Sequence, residues 1–247
     1  MSEQAGPLLR RHLGDRRFLL TLPRAVGLQV LHPVIATALV DHAPHRLWEH
    51  KKRTVSQLIY LAHSGRAADS VIRFAHEHVK GLDDRGQRYH ALHPEVFLFQ
   101  HATYVETLMT AADLFGPALG AADRDQLYRE TRAWYRTYGV SDRLLPRTRP
   151  EFAEYFADAC ATQLRVGPAA RELRDQVLRP DAWIVRHLPA GAARAMQHPR
   201  ALELFDVRTG RADAAALRAV AMTARPGFAM APRRIRYVSQ ARTRTGR

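Results

Sequence analysis

Histidine is the residue type with the most chemistry to offer in this chain: thirteen are present, against a single cysteine, Cys160. Imidazole is a base near neutral pH and a common metal ligand, so spacing decides what these side chains can do. Ile72, Ala75, His76 and Val79 recur at helical spacing, which aims His76 into an apolar face. His101 shares a face with Phe97, Leu98, Tyr104, Val105 and Leu108 in the same way. A neutral imidazole so placed either ligates a metal or bonds to a carbonyl inside the core, and both readings stand at this point. In His76-Glu77-His78 a continuous helix sets the two rings roughly 200° apart, so His78 falls outside the site.

The familiar catalytic spacings are absent. There is no Glu-x-x-His pair for a di-iron bundle and no His-Glu-x-x-His for a zinc hydrolase. No glycine-rich phosphate loop and no Gly-x-Ser-x-Gly elbow occurs. One cysteine excludes an internal disulfide and a cysteine-rich metal site, and Cys160 reads as a small buried side chain in a helix. Two inward histidines on separate helices remain. They are compatible with a large planar cofactor such as haem, held between helices by one axial histidine.

The elements that must position these residues read as helices. The apolar run from Pro23 to Val40 predicts a buried helix that Pro33 kinks or splits. Asp41–His45 is a break, and residues 46–63 form a second helix with the basic start Lys51-Lys52-Arg53. A helix over 66–80, capped by Gly81, carries His76, and the turn Asp83–Gln87 follows. Pro94 opens a long helix to Phe115 that carries His101. Residues 122–138 form the next helix, and Thr148 with Glu151 makes a capping box for a helix reaching Leu164. Shorter helical pieces occupy 169–178, 181–188 and 212–224. No alternating run is long enough for a sheet, so the chain reads as all-α.

The net charge of +14 is carried almost wholly by arginine, since only Lys51, Lys52 and Lys80 are lysines. It is scattered except in the run Arg233, Arg234, Arg236, Arg242, Arg244 and Arg247, which reads as a flexible basic tail. A basic nucleic-acid-binding helical protein is a reading that rests on charge alone. Arg16-Arg17 followed by an apolar run imitates a twin-arginine export signal. Arg24, Gln29 and His32-Pro33 interrupt that run, so it predicts a buried helix of a cytoplasmic protein and no membrane span.

Several short stretches occur in a telling order. They are Leu28–Ala36, Asp41-His42, Lys52-Arg53-Thr54, His76–Gly81, Tyr89–Glu95, Gln100–Thr103 and Pro146–Tyr155. The series resembles the DUF2236 family, the catalytic domain shared by bacterial rubber oxygenases and fungal mpaB-type oxygenases, over roughly residues 18–190. The resemblance implies a globin-like helical bundle enclosing a pocket for haem b. It implies that His76 is the proximal iron ligand and that Arg53 and Thr54 line the distal side. Two positions depart from the rubber-oxygenase pattern: His50 stands where the family has an arginine, and Arg53 where it has a lysine beside the threonine. Arginine stays protonated, so a lysine-capped iron is not expected.

The sequence therefore predicts a flexible N-terminus (1–17), a haem-binding catalytic domain (18–190), a helical extension packed on it (191–232) and a basic tail (233–247). The function it points to is a haem-dependent oxygenase or oxidoreductase acting on a small apolar metabolite with dioxygen or peroxide. In that reading His76 holds the iron, Arg53 and Thr54 carry the distal chemistry, and His101 supports the cofactor. The alternative is a non-catalytic haem-binding or sensor protein with both axial positions filled, for which His50 and His101 are the second-ligand candidates.

Overall fold

The computed structural model describes residues 6–43, 46–65 and 68–242. Helix dominates it. Helices α1 (Pro7–Leu13), α2 (Arg16–Leu31), α3 (Pro33–His42), α4 (Leu47–Ser64) and α5 (Asp69–His76) lead to a short hairpin of β1 (Lys80–Leu82) and β2 (Arg88–His90). Helices α6 (Pro94–Phe115), α7 (Ala121–Arg136), α8 (Arg149–Thr162) and α9 (Pro168–Leu178) follow. A 3₁₀ turn at Ile184–His187 leads to α10 (Ala190–Met196), α11 (Pro199–Leu204), α12 (Arg211–Met230) and α13 (Arg233–Arg236).

Two long apolar helices make the centre. In α2, Phe18, Leu22, Val26, Leu28 and Val30 are buried, and its most extensive packing is along α6, where Phe99, Ala102, Val105 and Leu108 are buried. A helix apolar on nearly every side has to lie inside the fold, and α2 does. Pro33 lacks the N–H that would continue α2, so it begins α3 instead, and the chain bends by 97°. Among the described residues no single helix is long and apolar enough to cross a membrane. Trp48 near the start of α4 is wholly buried and donates its indole N–H to the Gln176 carbonyl (2.6 Å), which docks α4 on α9. Thr148 caps α8 by accepting from the Glu151 N–H, as its spacing predicts.

Both chain ends depart from expectation. Residues 7–17 are not frayed: Leu9 and Leu13 are fully buried, and Asp15 pairs with Arg17 inside the fold. The start of the supposed basic tail also packs. Arg236 donates to Asp15 (2.7 Å), Val238 N–H donates to the Gly14 carbonyl (3.1 Å), and Tyr237, Val238 and Ala241 are buried. Gly14 allows this closeness, because a Cβ there would lie 2.2 Å from the Ala241 methyl. Arg244 and Arg247 of that run, and Pro44 and His45 of the break before α4, lie outside the described residues.

The helix bearing His76 is shorter than its pattern predicts. α5 stops at His76, and Gly81 lies in β1 rather than capping a helix. Asp83 explains the change: its carboxylate accepts from the N–H groups of Arg85 and Gln87, folding the chain back so that Gly81 pairs with Tyr89. The opposite end of α5 rests on Gly139, which follows α7 at φ +70° with its α-carbon facing Asp69. An added Cβ would sit 2.8 Å from the Asp69 Cβ in a conformation that L side chains avoid. Gly139→Ala is expected to lower the stability to urea unfolding by about 1–3 kcal/mol.

Candidate functional site

A cavity of about 470 Å³ lies between α3, α4, α5 and α6. That volume is within the range of small-molecule sites. Its walls are mostly aliphatic and aromatic: Val34, Ile35, Leu39, Leu58, Leu61, Ile72, Val96 and Phe97 all contribute. His76, Arg53, Thr54, His50 and His101, separated in sequence, all line this one cavity. A larger groove of about 780 Å³ runs beside α6, α8 and α11. Its charged side chains are engaged in ion pairs: Arg124–Asp113, Arg149–Asp125, Arg200–Glu203 and Arg24–Glu106. The chemistry therefore concentrates in the smaller cavity.

His76 stands at the last turn of α5, where its Nδ1 lies 2.8 Å from the Ile72 carbonyl. A carbonyl only accepts, so Nδ1 carries the proton and Nε2 keeps a lone pair. Burial lowers the pKa of this imidazole, and the charges of nearby His78, Lys51 and His90 push the same way, so the neutral form is favoured. Phe97 meets the ring edge-on at 5.7 Å between centroids. The result is a neutral imidazole with a fixed tautomer on the cavity wall, which is the state a metal ligand requires.

Arg53 and Thr54 are exposed residues that nonetheless line the cavity, so it reaches solvent on their side. The Thr54 hydroxyl donates back to the His50 carbonyl (3.1 Å), leaving its oxygen able to accept only. His101 lies at the inner end. Its ring packs against Trp134, Tyr135 and Tyr138 at 5.0–5.8 Å, and its Nδ1 is buried without a partner. Burial holds this imidazole down to about 3, against the opposing effect of the Thr131 backbone. His78 lines the cavity after all, because α5 ends before it and the helical separation no longer applies. His42 does too, with its ring 6.3 Å from that of His78.

Lys51 is the cavity residue that the sequence reading passed over. It is 3% exposed and lines the cavity from α4. Two signals were available. Lys51 precedes Thr54 by three residues, on the same helix side, and Gln29, its partner, is a lone amide within the apolar run of α2.

The buried imidazoles impose a pH dependence. Unfolded, they titrate near 6.5; folded, burial holds His12 and His32 down to about 4 and His101 to about 3. Between those values the unfolded chain binds more protons than the folded one. The contribution is therefore complete above pH 6.5 and is lost as the pH falls toward 3, at up to about 1.4 kcal/mol per pH unit for each group. Urea midpoints should fall between pH 7.5 and 5, and His101→Phe should show a smaller fall than the wild type.

Comparison with protein families matches residues 10–226 to the catalytic domain of the ER-bound oxygenase mpaB/B′ and rubber oxygenase group. The chain belongs to this family. No curated protein and no solved structure matches it. For this member of the mpaB/rubber oxygenase family the match makes an oxygenase the coarse assignment, and an oxygenase implies a small-molecule substrate and oxygen. It begins inside α1 and ends within α12, so it takes in every wall of the cavity.

Proposed function

We propose that this mpaB/rubber oxygenase family member binds haem b in the α3–α6 cavity with His76 as axial ligand, and oxidises a small, largely apolar metabolite. The observation that carries the reading is the His76 imidazole, its Nδ1–H bonded to the Ile72 carbonyl and its Nε2 left to the cavity. The donor set fits. Among the described residues no three His, Cys, Asp or Glu side chains converge on a metal, whereas one imidazole in an apolar enclosure is what haem asks of a protein. The haem supplies oxygen-activating redox chemistry when bound. The globin-like arrangement that the family resemblance implies accords with an enclosure built mainly from helices.

The chain's own contributions can be assigned to residues. Ile72 orients the axial imidazole through its carbonyl and keeps its proton on Nδ1. Val34, Ile35, Leu58, Leu61 and Phe97 exclude water and match an apolar substrate. The Arg53 guanidinium offers N–H donors on the solvent-reaching side, and the Thr54 oxygen offers an acceptor beside it. The packing of His101 against three aromatic rings ties up one of the two candidate second ligands, so a sensor with two protein axial ligands would need His50. The test is oxygen uptake by the haem-loaded protein, measured with an electrode against a panel of apolar compounds. Substrate-dependent uptake that is lost without haem is expected; haem-loaded protein showing no uptake with any substrate or peroxide would favour the non-catalytic alternative.

A further inference from the structure

The cavity wall carries one charge that the fold leaves without a counter-ion. Lys51 is 3% exposed and makes no ion pair among the described residues, while its neighbour Lys52 pairs with Glu49 at the surface. Its Nζ donates to Gln29 Oε1 at 2.7 Å, a neutral acceptor. The orientation of that amide is forced. The Thr103 hydroxyl donates to the Gln100 carbonyl (2.7 Å) and so can only accept from Gln29 Nε2 (2.7 Å), which turns Oε1 toward Lys51. Gln29 and Thr103 are fully buried. An ammonium has three donors, and one is used.

A buried ammonium with a single neutral partner is costly, and burial alone pulls Lys51 down to about 7. A well-packed apolar side chain would serve stability better at such a position, so the charge points to a ligand. The surroundings narrow its chemistry. Lys51 lines the cavity together with uncharged polar side chains such as Gln100 and Tyr104, while Val34, Ile35, Leu39, Leu58, Leu61 and Ile72 supply aliphatic wall. A molecule filling it would place an anionic head at Lys51 and an apolar body along the aliphatic walls.

We propose that Lys51 is the counter-ion for a carboxylate carried by a molecule seated in this cavity. The inference rests on the reading of the cavity as the ligand site. Two sources share the chemistry: the carboxylate of an amphipathic substrate, and a propionate of haem.

Two matched pairs of probes separate them, each applied to the purified full-length chain. Decanoate is compared with decanol by calorimetry, and haemin with its dimethyl ester by absorbance. The wild type is expected to bind the charged member of at least one pair about tenfold more tightly, or better. Lys51→Met should erase that preference without weakening the neutral probe, and Lys51→Arg should retain it. Where Lys51→Met does not fold, Lys51→Gln supplies the uncharged variant. Preference for decanoate assigns the carboxylate to the substrate; preference for haemin assigns it to a propionate. Equal binding within both pairs, or a preference that survives the loss of charge, overturns the inference. Refusal of haemin with the decanoate preference intact defeats the haem reading alone, whereas haemin uptake with no charge preference defeats the Lys51 inference alone.

Discussion

His76→Ala is expected to weaken haem binding by at least ~100-fold, since outer-shell partners of metal ligands alone are worth 10–100-fold. The variant should nevertheless fold. His76 sits at the end of α5, half-buried, with one hydrogen bond to the preceding turn, so its loss leaves a small space open to the cavity rather than a sealed void in the core. Its urea midpoint should change by no more than about 1 kcal/mol of stability. Haem content by pyridine haemochromogen, measured beside far-ultraviolet circular dichroism, separates the two effects. Imidazole added to His76→Gly should restore part of the haem affinity, because it returns the missing donor to a space of its own size. A variant that keeps its haem undiminished would show that another residue holds the iron.

Asp15→Ala is expected to cost about 3–5 kcal/mol, the largest stability loss that a surface-neutral reading of the N-terminus would miss. Asp15 is 1% exposed and accepts from the Arg17 backbone N–H (3.0 Å), from Arg17 Nε (3.0 Å) and Nη2 (2.6 Å), and from Arg236 Nε (2.7 Å). Removing the carboxylate strips α2 of its cap and leaves the buried Arg17 guanidinium with only the Phe115 carbonyl at 3.3 Å. Arg236→Gln should cost far less, about 1 kcal/mol, because its partner Asp15 keeps Arg17. Urea unfolding of the two variants checks the ratio. Similar small losses in both would mean that the termini do not share one buried ion network.

How much of this could be read beforehand depends on the range of the interactions involved. The break at Pro33, the start of α6 at Pro94 and the Thr148 cap are decided within a few residues, and each stands in the structure as its pattern predicts. The packed ends were not readable, because Asp15 meets Arg236 across 221 positions of chain. The end of α5 departs from its pattern for a subtler reason: Gly81 is a good helix stop, but Asp83 closes a tighter turn that draws Gly81 into a strand. At the cavity, His76, Arg53, Thr54 and His101 line one enclosure although they stand on three different helices. Lys51 did not stand out, since in a run of three basic residues nothing local says which one turns inward. Its burial is decided by Gln29, which lies on a different helix.

The central claim is that this cavity is a haem site held by His76, and a titration of the purified protein with haemin, followed by its absorption spectrum, tests it most directly. A Soret band that saturates at one haem per chain in the wild type, and is lost or shifted in His76→Ala, is the predicted result. A protein that stays colourless and takes up no haemin, or one whose band is identical in His76→Ala, would contradict it.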